Sequence, residues 1–178
     1  MNAEATVLKL YPLGENGLIV VWCTEEGIIR TAAKSARKPS SPFAGRLDLF
    51  YQCRMQWTQA KTGDLHSLTS ADLLSPRLSL RKSYSRLSTA GYFARLLLQM
   101  LEPDTPIPEF YGLLQRAYSY LENNNPTPRA VLHFEQELAR LHGIAHPGIP
   151  AHVILKSHFG KLPPQREKLL SSLEQKES

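Results

Sequence analysis

Arg46-Leu47-Asp48-Leu49-Phe50-Tyr51-Gln52-Cys53-Arg54-Met55-Gln56-Trp57 carries the clearest alternation in the chain. Leu47, Leu49, Tyr51, Cys53, Met55 and Trp57 point one way; Arg46, Asp48, Gln52, Arg54 and Gln56 point the other, with Phe50 as the apolar exception on the polar side. A period of two over this length is a strand with one covered face. Outward from it, Thr6 to Pro12, Leu18 to Thr24 and Ile28 to Ser35 read as earlier strands, and Leu65 to Thr69 as a later one. Gly14 to Gly17, Glu25 to Gly27 and Lys61 to Asp64 supply turns between them. Leu18 to Thr24 is apolar on both faces, as a central strand would be, and Ser70 to Leu74 is expected to begin a short helix. Five strands in about seventy residues, with turns at short intervals, predict a small antiparallel barrel or sandwich. A five-stranded OB-type barrel suits the pattern best, with an SH3-like barrel as the alternative.

Between the third and fourth strands lies Ala33-Lys34-Ser35-Ala36-Arg37-Lys38-Pro39-Ser40-Ser41-Pro42-Phe43-Ala44-Gly45, which is basic and has no acidic residue. Its two prolines and three serines deny it a strand ladder, so the loop is expected to lie outside the core with its cations facing solvent or a polyanion.

At Ser75-Pro76 the period changes, and the pair reads as an N-cap followed by proline at the first helical position. Leu78, Leu80, Tyr84, Leu87, Gly91, Ala94, Leu97, Leu98 and Leu101 then recur at helical spacing. Glu109 to Leu121 forms a second amphipathic stretch. A third starts at Thr127-Pro128 and stops at Gly143. Residues 144 to 163, with Pro147, Pro150 and Pro163, read as irregular, and Gln165 to Gln175 as a charged, loosely held last helix. The expected organisation is α+β: a barrel domain over 1–74, then a small all-helical domain over 75–178.

The formal net charge is +5, which says little about partners, but its distribution says more. Between Glu26 and Asp48 stand Arg30, Lys34, Arg37, Lys38 and Arg46; between Asp72 and Glu102 stand Arg77, Arg81, Lys82, Arg86 and Arg95. Ten of the 21 cations thus occupy two acid-free windows, which would make one positive face if they met in space. OB folds bind single strands through a cationic groove and aromatic faces. Lys9, Arg30, Lys34, Arg37, Lys38 and Arg46 are candidates for the groove, and Tyr11, Phe43 and Phe50 for base stacking. Trp22, Tyr51 and Trp57 have apolar neighbours and are assigned to the core. On a helix Arg77, Arg81, Lys82 and Arg86 would largely share one face, a second candidate nucleic-acid-binding surface or simply a solvated one.

Other chemistry is poorly supported. No nucleophile elbow, phosphate loop, zinc-protease helix or dinucleotide fingerprint occurs, and Asp48, Asp64 and Asp72 are scattered one per element, so no enzyme is expected. Cys23 and Cys53 lack metal-ligand spacing and read as buried thiols; His142, His146, His152 and His158 read as loop histidines without a metal. No apolar run spans a membrane, and Met-Asn-Ala-Glu leads straight into a strand, so a cytoplasmic protein without a signal peptide is expected.

The run from Ala33 to Gly45, followed by Leu47 and Phe50, resembles the RecO family of recombination mediators, whose members carry a similar K-G-A-R-K-x-x-S-x-x-x-G-x-L string. Leu13 to Asn16 and Thr24 to Gly27 resemble that family's first hairpin, and Asp64 to Thr69 its fifth strand. Phe134-Glu135, Leu138 and Leu141-His142-Gly143 resemble its R-F-E-x-x-L-L-x-x-x-G helix. The resemblance covers about residues 5 to 147 and implies an OB fold before a helical domain. It implies binding of single- and double-stranded DNA, strand annealing, and help in loading RecA onto DNA coated by single-stranded-DNA-binding protein. The implied partners are RecR and the acidic, Phe-ending tail of the coating protein, with Arg129 and Arg140 near Phe134 as rim candidates for a tail pocket. The alternatives from the residues are an RNA-binding OB protein and an acidic-peptide-binding module. Three departures stand out. Ser35 replaces the family's usual glycine, which predicts a less strained loop start. No cysteine lies between Pro147 and Pro163, so the zinc finger of some members is expected to be missing. The helical domain is shorter than the family's usual one.

Overall fold

The computed structural model describes residues 1–103 and 105–177. The chain forms two compact units. One comprises Met1–Arg77 with Leu101–Tyr111; the other comprises Leu78–Met100 and the described residues from Gly112 onward.

The first unit holds β1 (Asn2–Leu13), β2 (Gly17–Thr24), β3 (Gly27–Ala33), β4 (Gln52–Thr58) and β5 (Leu65–Ser75). They close in the order β1-β2-β3-β5-β4, with β4 paired back to β1. Only the β3–β5 junction is parallel, running from Arg30↔Leu65 to Ala32↔Ser67. This is the OB-type barrel, the first of the two that the strand count allows. Closure gives each strand a neighbour on both sides, and the register shifts between Val7 and Lys9 on β1 and at two positions on the β4–β5 pair. Ala5, Val7, Val20, Trp22 and Met55 are fully buried inside it. Trp22 donates from Nε1 to Thr31 Oγ1 at 2.8 Å, so its one polar atom is satisfied.

Two expected boundaries move. The alternating run begins to pair as a strand only at Gln52, because Phe50 takes a left-handed φ of 69° and Tyr51 N donates to Asp48 O in a turn at 3.2 Å. Phe50 and Tyr51 instead bond to Val7 of β1, each at 2.9 Å. Ser70 to Leu74 is strand, not helix: Ala71 faces Met55 and Leu73 faces Cys53. A ladder with β4 outweighs the local helical composition.

The loop between β3 and β4 has no ladder, as expected, yet two of its side chains lie in the barrel core. Ala36 is 7% and Phe43 6% exposed, and both belong to the cluster that contains Trp22 and Met55. Phe43 and Phe50, the latter 4% exposed, are therefore buried and not base-stacking faces. Ser35 has a φ of 57°. The serine bears the left-handed penalty that a glycine there would escape, so the loop start is more strained, not less.

At the end of the barrel strands Ser75-Pro76 does not start a helix: Ser75 ends β5, and Arg77, still in the first unit, has a φ of 44°. A single 3-10 stretch, Leu78–Lys82, precedes α1 (Tyr84–Met100). The working cap is Ser83, whose Oγ accepts from Arg86 N at 3.2 Å. Then come α2 (Pro108–Asn123) and α3 (Pro128–Leu141). Thr127 Oγ1 caps α3 by accepting from Ala130 N at 3.2 Å, and Gly143 turns the chain away with a φ of 70°. Where irregular chain is expected, Ala151–Phe159 is a helix, α4. The prolines flank it, with Pro150 just before its first turn, and Gly160 ends it at a φ of 81°.

The final helix, α5 (Arg166–Glu177), is expected to be loosely held, but its start is anchored. Arg166 donates to Glu135 of α3 through Nε at 2.7 Å and Nη2 at 2.9 Å. Tyr92 of α1 donates its hydroxyl to the same carboxylate at 2.5 Å. Glu135 is fully buried, and Leu169 and Leu173 are buried beside Arg166 along α5. Burial, then the charge of Glu135 and its hydrogen bond, raise the Tyr92 phenol above its ordinary range, so it stays a donor.

These anchors are testable by stability. Arg166→Met strands a buried carboxylate and is expected to cost about 3–5 kcal/mol in urea unfolding followed by far-UV circular dichroism, with much recovered when Glu135→Leu is added. Phe43→Ala is expected to cost about 3–5 kcal/mol as a core truncation, whereas Arg37→Ala stays within about 0.5 kcal/mol. A Phe43→Ala protein as stable as the parent would contradict the loop's core role.

Candidate nucleic-acid interface

The basic loop is a succession of closed turns. Lys38 N donates to Ser35 O at 3.0 Å, Ser41 N to Lys38 O at 3.0 Å, Ala44 N to Ser41 O at 3.1 Å and Arg46 N to Phe43 O at 3.0 Å. Arg37 N donates to Asn16 O at 2.9 Å, which ties the loop to the β1–β2 turn. Lys34, Arg37 and Lys38 are exposed on this frame. Among the described residues none of the three has an acidic partner. Anchored backbone with outward cations is a surface prepared for an anion, because little chain entropy is lost when the ligand arrives.

The other barrel candidates divide. Lys9 and Tyr11 are exposed on β1, with Lys9 Nζ 4.5 Å from the Tyr11 ring centroid. Tyr11, 39% exposed, thus remains the stacking face of the three candidate aromatics. Arg30 is paired with Asp64 at 2.7 Å, and Arg46 with Asp72 at 3.2 Å. The Arg30 hydrogen bond holds the Asp64 carboxyl below its usual range. A phosphate would have to compete with these carboxylates, and exposed pairs of this kind are weak enough to yield.

The candidate helix face does not form. Arg77 is buried in the barrel unit and donates to Gln52 Oε1 at 3.0 Å. Arg81 and Lys82 sit exposed in the 3-10 stretch of the helical unit. Arg86 lies on α1 and donates to Glu122 O at 3.2 Å and Asn125 Oδ1 at 3.3 Å, which secures the end of α2. The i, i+4, i+5, i+9 spacing is thus spread over three kinds of backbone, and Arg77 and Arg86 are engaged inside the protein.

In the helical unit a pocket of about 630 Å³ lies among α1, α2 and α3. Its floor includes Phe93 and Phe134, stacked at 3.9 Å between ring centroids with 13° between planes. Arg129 stands in its lining. Arg140 does not: it grips Glu137 by Nε at 3.1 and 3.2 Å and by Nη2 at 2.8 Å. Sequence reasoning misses Arg116 and His133, which also line the pocket. A signal for His133 is present, since Arg129, His133 and Glu137 recur every four residues and so share a face of α3.

Cys23 and Cys53 are buried free thiols pushed up by burial to about 12 and about 11, so they are protonated at neutral pH and poor nucleophiles or metal ligands. Among the described residues no three His, Cys, Asp or Glu gather into a metal site, and no helix is long and apolar enough to cross a membrane. His142 and His158 each pack edge-on to Phe159 at 4.8 Å, and desolvation lowers the His142 imidazole from its ordinary value.

Residues 1–77 match the family model described as "Recombination protein O N terminal". The DNA repair protein RecO of Cyanothece sp. is 34% identical over 124 residues, which is 69% of this chain and 42% of that protein. The RecO protein of Syntrophotalea carbinolica is 27% identical over 145 residues, 81% of this chain and 56% of that protein. The RecO protein of Myxococcus xanthus is 28% identical over 147 residues, 82% of this chain and 58% of that protein. The chain spans about half the length of the curated relatives it matches. The barrel is the part covered by the family model, and it is through this RecO N-terminal domain that the chain belongs to the RecO family.

Proposed function

We propose that this chain is a non-catalytic DNA-repair and recombination mediator that acts on DNA in the cytoplasm, at the nucleoid. The barrel binds single- and double-stranded DNA through Lys34, Arg37 and Lys38, with Lys9 and Tyr11 as a neighbouring cation and stacking face. Annealing follows when the cations neutralise two strands together and release their counterions. The observation that carries this reading is the basic loop: three exposed cations without acidic partners among the described residues, on a backbone held by Ala36 and Phe43 in the core. Family membership adds support, since the relatives are DNA repair proteins by name. Assistance to RecA loading and contact with RecR are the family-level part of the proposal. No cofactor is assigned.

Fluorescence anisotropy with a single-stranded oligonucleotide is expected to give affinity that falls steeply with salt. In Arg37→Glu/Lys38→Glu, affinity drops and the log–log salt slope flattens by about 0.7 for each phosphate no longer neutralised. Unchanged affinity would remove the loop from the site. A matched RNA strand separates the RNA-binding alternative, because a reader of the 2′-hydroxyl prefers RNA. A strand-annealing assay with and without the coating protein tests the mediator step itself.

The α1–α2–α3 pocket favours a second role in the same process: capture of the acidic, Phe-ending tail of single-stranded-DNA-binding protein. An aromatic floor suits the terminal phenyl ring, and Arg116, Arg129 and His133 suit acidic neighbours and a terminal carboxylate. Isothermal titration with a synthetic acidic peptide ending in phenylalanine is expected to show binding that Arg129→Glu weakens about tenfold or more, as expected when a charge pair is replaced by like charges. Undiminished binding by Arg129→Glu would place the peptide elsewhere.

A further inference from the structure

The pocket lined by Arg116, Arg129 and His133 contains one carboxylate among its described lining residues, Glu137. An anion-binding site with a carboxylate in its wall opposes its own ligand unless that charge is cancelled. Glu137 is only 24% exposed at its side chain, so solvent screens it incompletely. It follows His133 by four residues and Phe134 by three on α3, which places it on the wall beside the aromatic floor. Arg140 binds it in a fork, with distances from 2.8 to 3.2 Å, while standing outside the lining itself. The Glu137 carboxyl is held below its usual range chiefly by the Arg140 hydrogen bonds, against the opposing effect of its partial burial. Smaller contributions come from the charges of Arg140, His133 and Arg116. It is therefore ionised at neutral pH, in the same pocket lining as Arg116 and His133.

We propose that Glu137 is a built-in competitor for the anionic ligand of this pocket, and that Arg140 is a positioning residue that masks it. This rests on the reading of the pocket as an acidic-peptide site. Glu137 offers Arg116 and His133 an internal carboxylate; Arg140 draws that carboxylate and its charge away from them. The strength of the Arg140–Glu137 fork then sets how much of the rim's positive charge reaches a ligand. Arg140 thus acts on peptide affinity through Glu137, not by touching the peptide as a rim residue would. Selectivity for acidic ligands follows, because a neutral apolar peptide gains nothing from the masking.

The test is a double-mutant cycle in the full chain, read by titration of the synthetic acidic peptide ending in phenylalanine. Thermal melts confirm that each variant is folded. Arg140→Gln is expected to weaken binding and Glu137→Gln to tighten it, each by about two- to fivefold, the scale of one exposed charge pair. In Glu137→Gln/Arg140→Gln the peptide is expected to bind as it does to Glu137→Gln, since nothing remains to be masked. The same peptide with its acidic residues replaced by serine and its C-terminus amidated is expected to show neither effect. If Arg140→Gln weakens binding equally in both backgrounds, Arg140 touches the peptide directly and the proposal falls. If Glu137→Gln leaves binding unchanged or weaker while Arg129→Glu abolishes it, the competitor role fails and the pocket reading stands. If the parent chain does not bind the peptide, the pocket reading fails and takes this proposal with it.

Discussion

Phe43 is the constraint on which the barrel unit's functional surface depends. A loop with two prolines and no ladder would ordinarily wander. Here its far end is pinned by an aromatic ring in the barrel core, and its near end by Ala36, with Arg37 N bonded to the β1–β2 turn. The segment between these pins is short and carries Pro39 and Pro42, which remove most of its remaining freedom. Lys38 therefore stands on a braced span, and Lys34 and Arg37 on either side of the Ala36 pin. The left-handed Ser35 has its place in the same scheme. Its unfavourable φ is tolerated because the bonds and packing on both sides over-determine the turn.

In the helical unit the corresponding constraint is the Glu135 carboxylate. It gathers Tyr92, Arg166 and α3 at a fully buried point, and so connects three helices that are far apart in sequence. A buried pair of this kind contributes little net stability compared with an apolar replacement, but it fixes rotation strongly, since a carboxylate cannot turn away without losing both partners. Fixing α3 about its axis matters for its neighbours. Phe134 is thereby aimed at the pocket floor and Glu137 at the pocket wall. Interior tie, floor and wall lie within one turn of a single helix, and the 3.6-residue period distributes them to different directions.

The parts of this structure that are legible in the sequence are those decided by neighbours in the chain. Cys53, Met55 and Trp57 alternate with exposed Arg54 and Gln56 as their period demands. Thr127-Pro128 announces α3, and Gly143 ends it. The misread parts are those decided at a distance. Ser75-Pro76 has the local chemistry of a helix start, but Ser75 is paired with Gln52 and belongs to a ladder. Phe50 looks like a stray aromatic on a polar face because its left-handed backbone depends on bonds to Val7. Arg166 and Glu135 are 31 residues apart, and nothing near either announces the other. The prolines around α4 look like interruption in the sequence, whereas in the fold they mark its margins. In the candidate site the loop cations and Arg129 are visible from sequence, while Arg116 requires knowing which face of α2 meets α3.

Charge counting alone would weight all these cations equally, and the structure argues against that. Arg77 and Arg86 are engaged by Gln52 and by the end of α2; Arg30, Arg46 and Arg140 are engaged by Asp64, Asp72 and Glu137. Every engaged residue in this group is an arginine, whose planar fork suits fixed directional partners. The prominent outward cations of the barrel are Lys9, Lys34, Arg37 and Lys38, three of them lysines, whose compact mobile charge suits a backbone of phosphates met in many registers. A net charge of +5 is therefore the wrong quantity to read. What distinguishes a polyanion-binding surface here is the absence of a carboxylate answering each cation, and the loop from Lys34 to Lys38 is where the described residues leave that answer to a ligand.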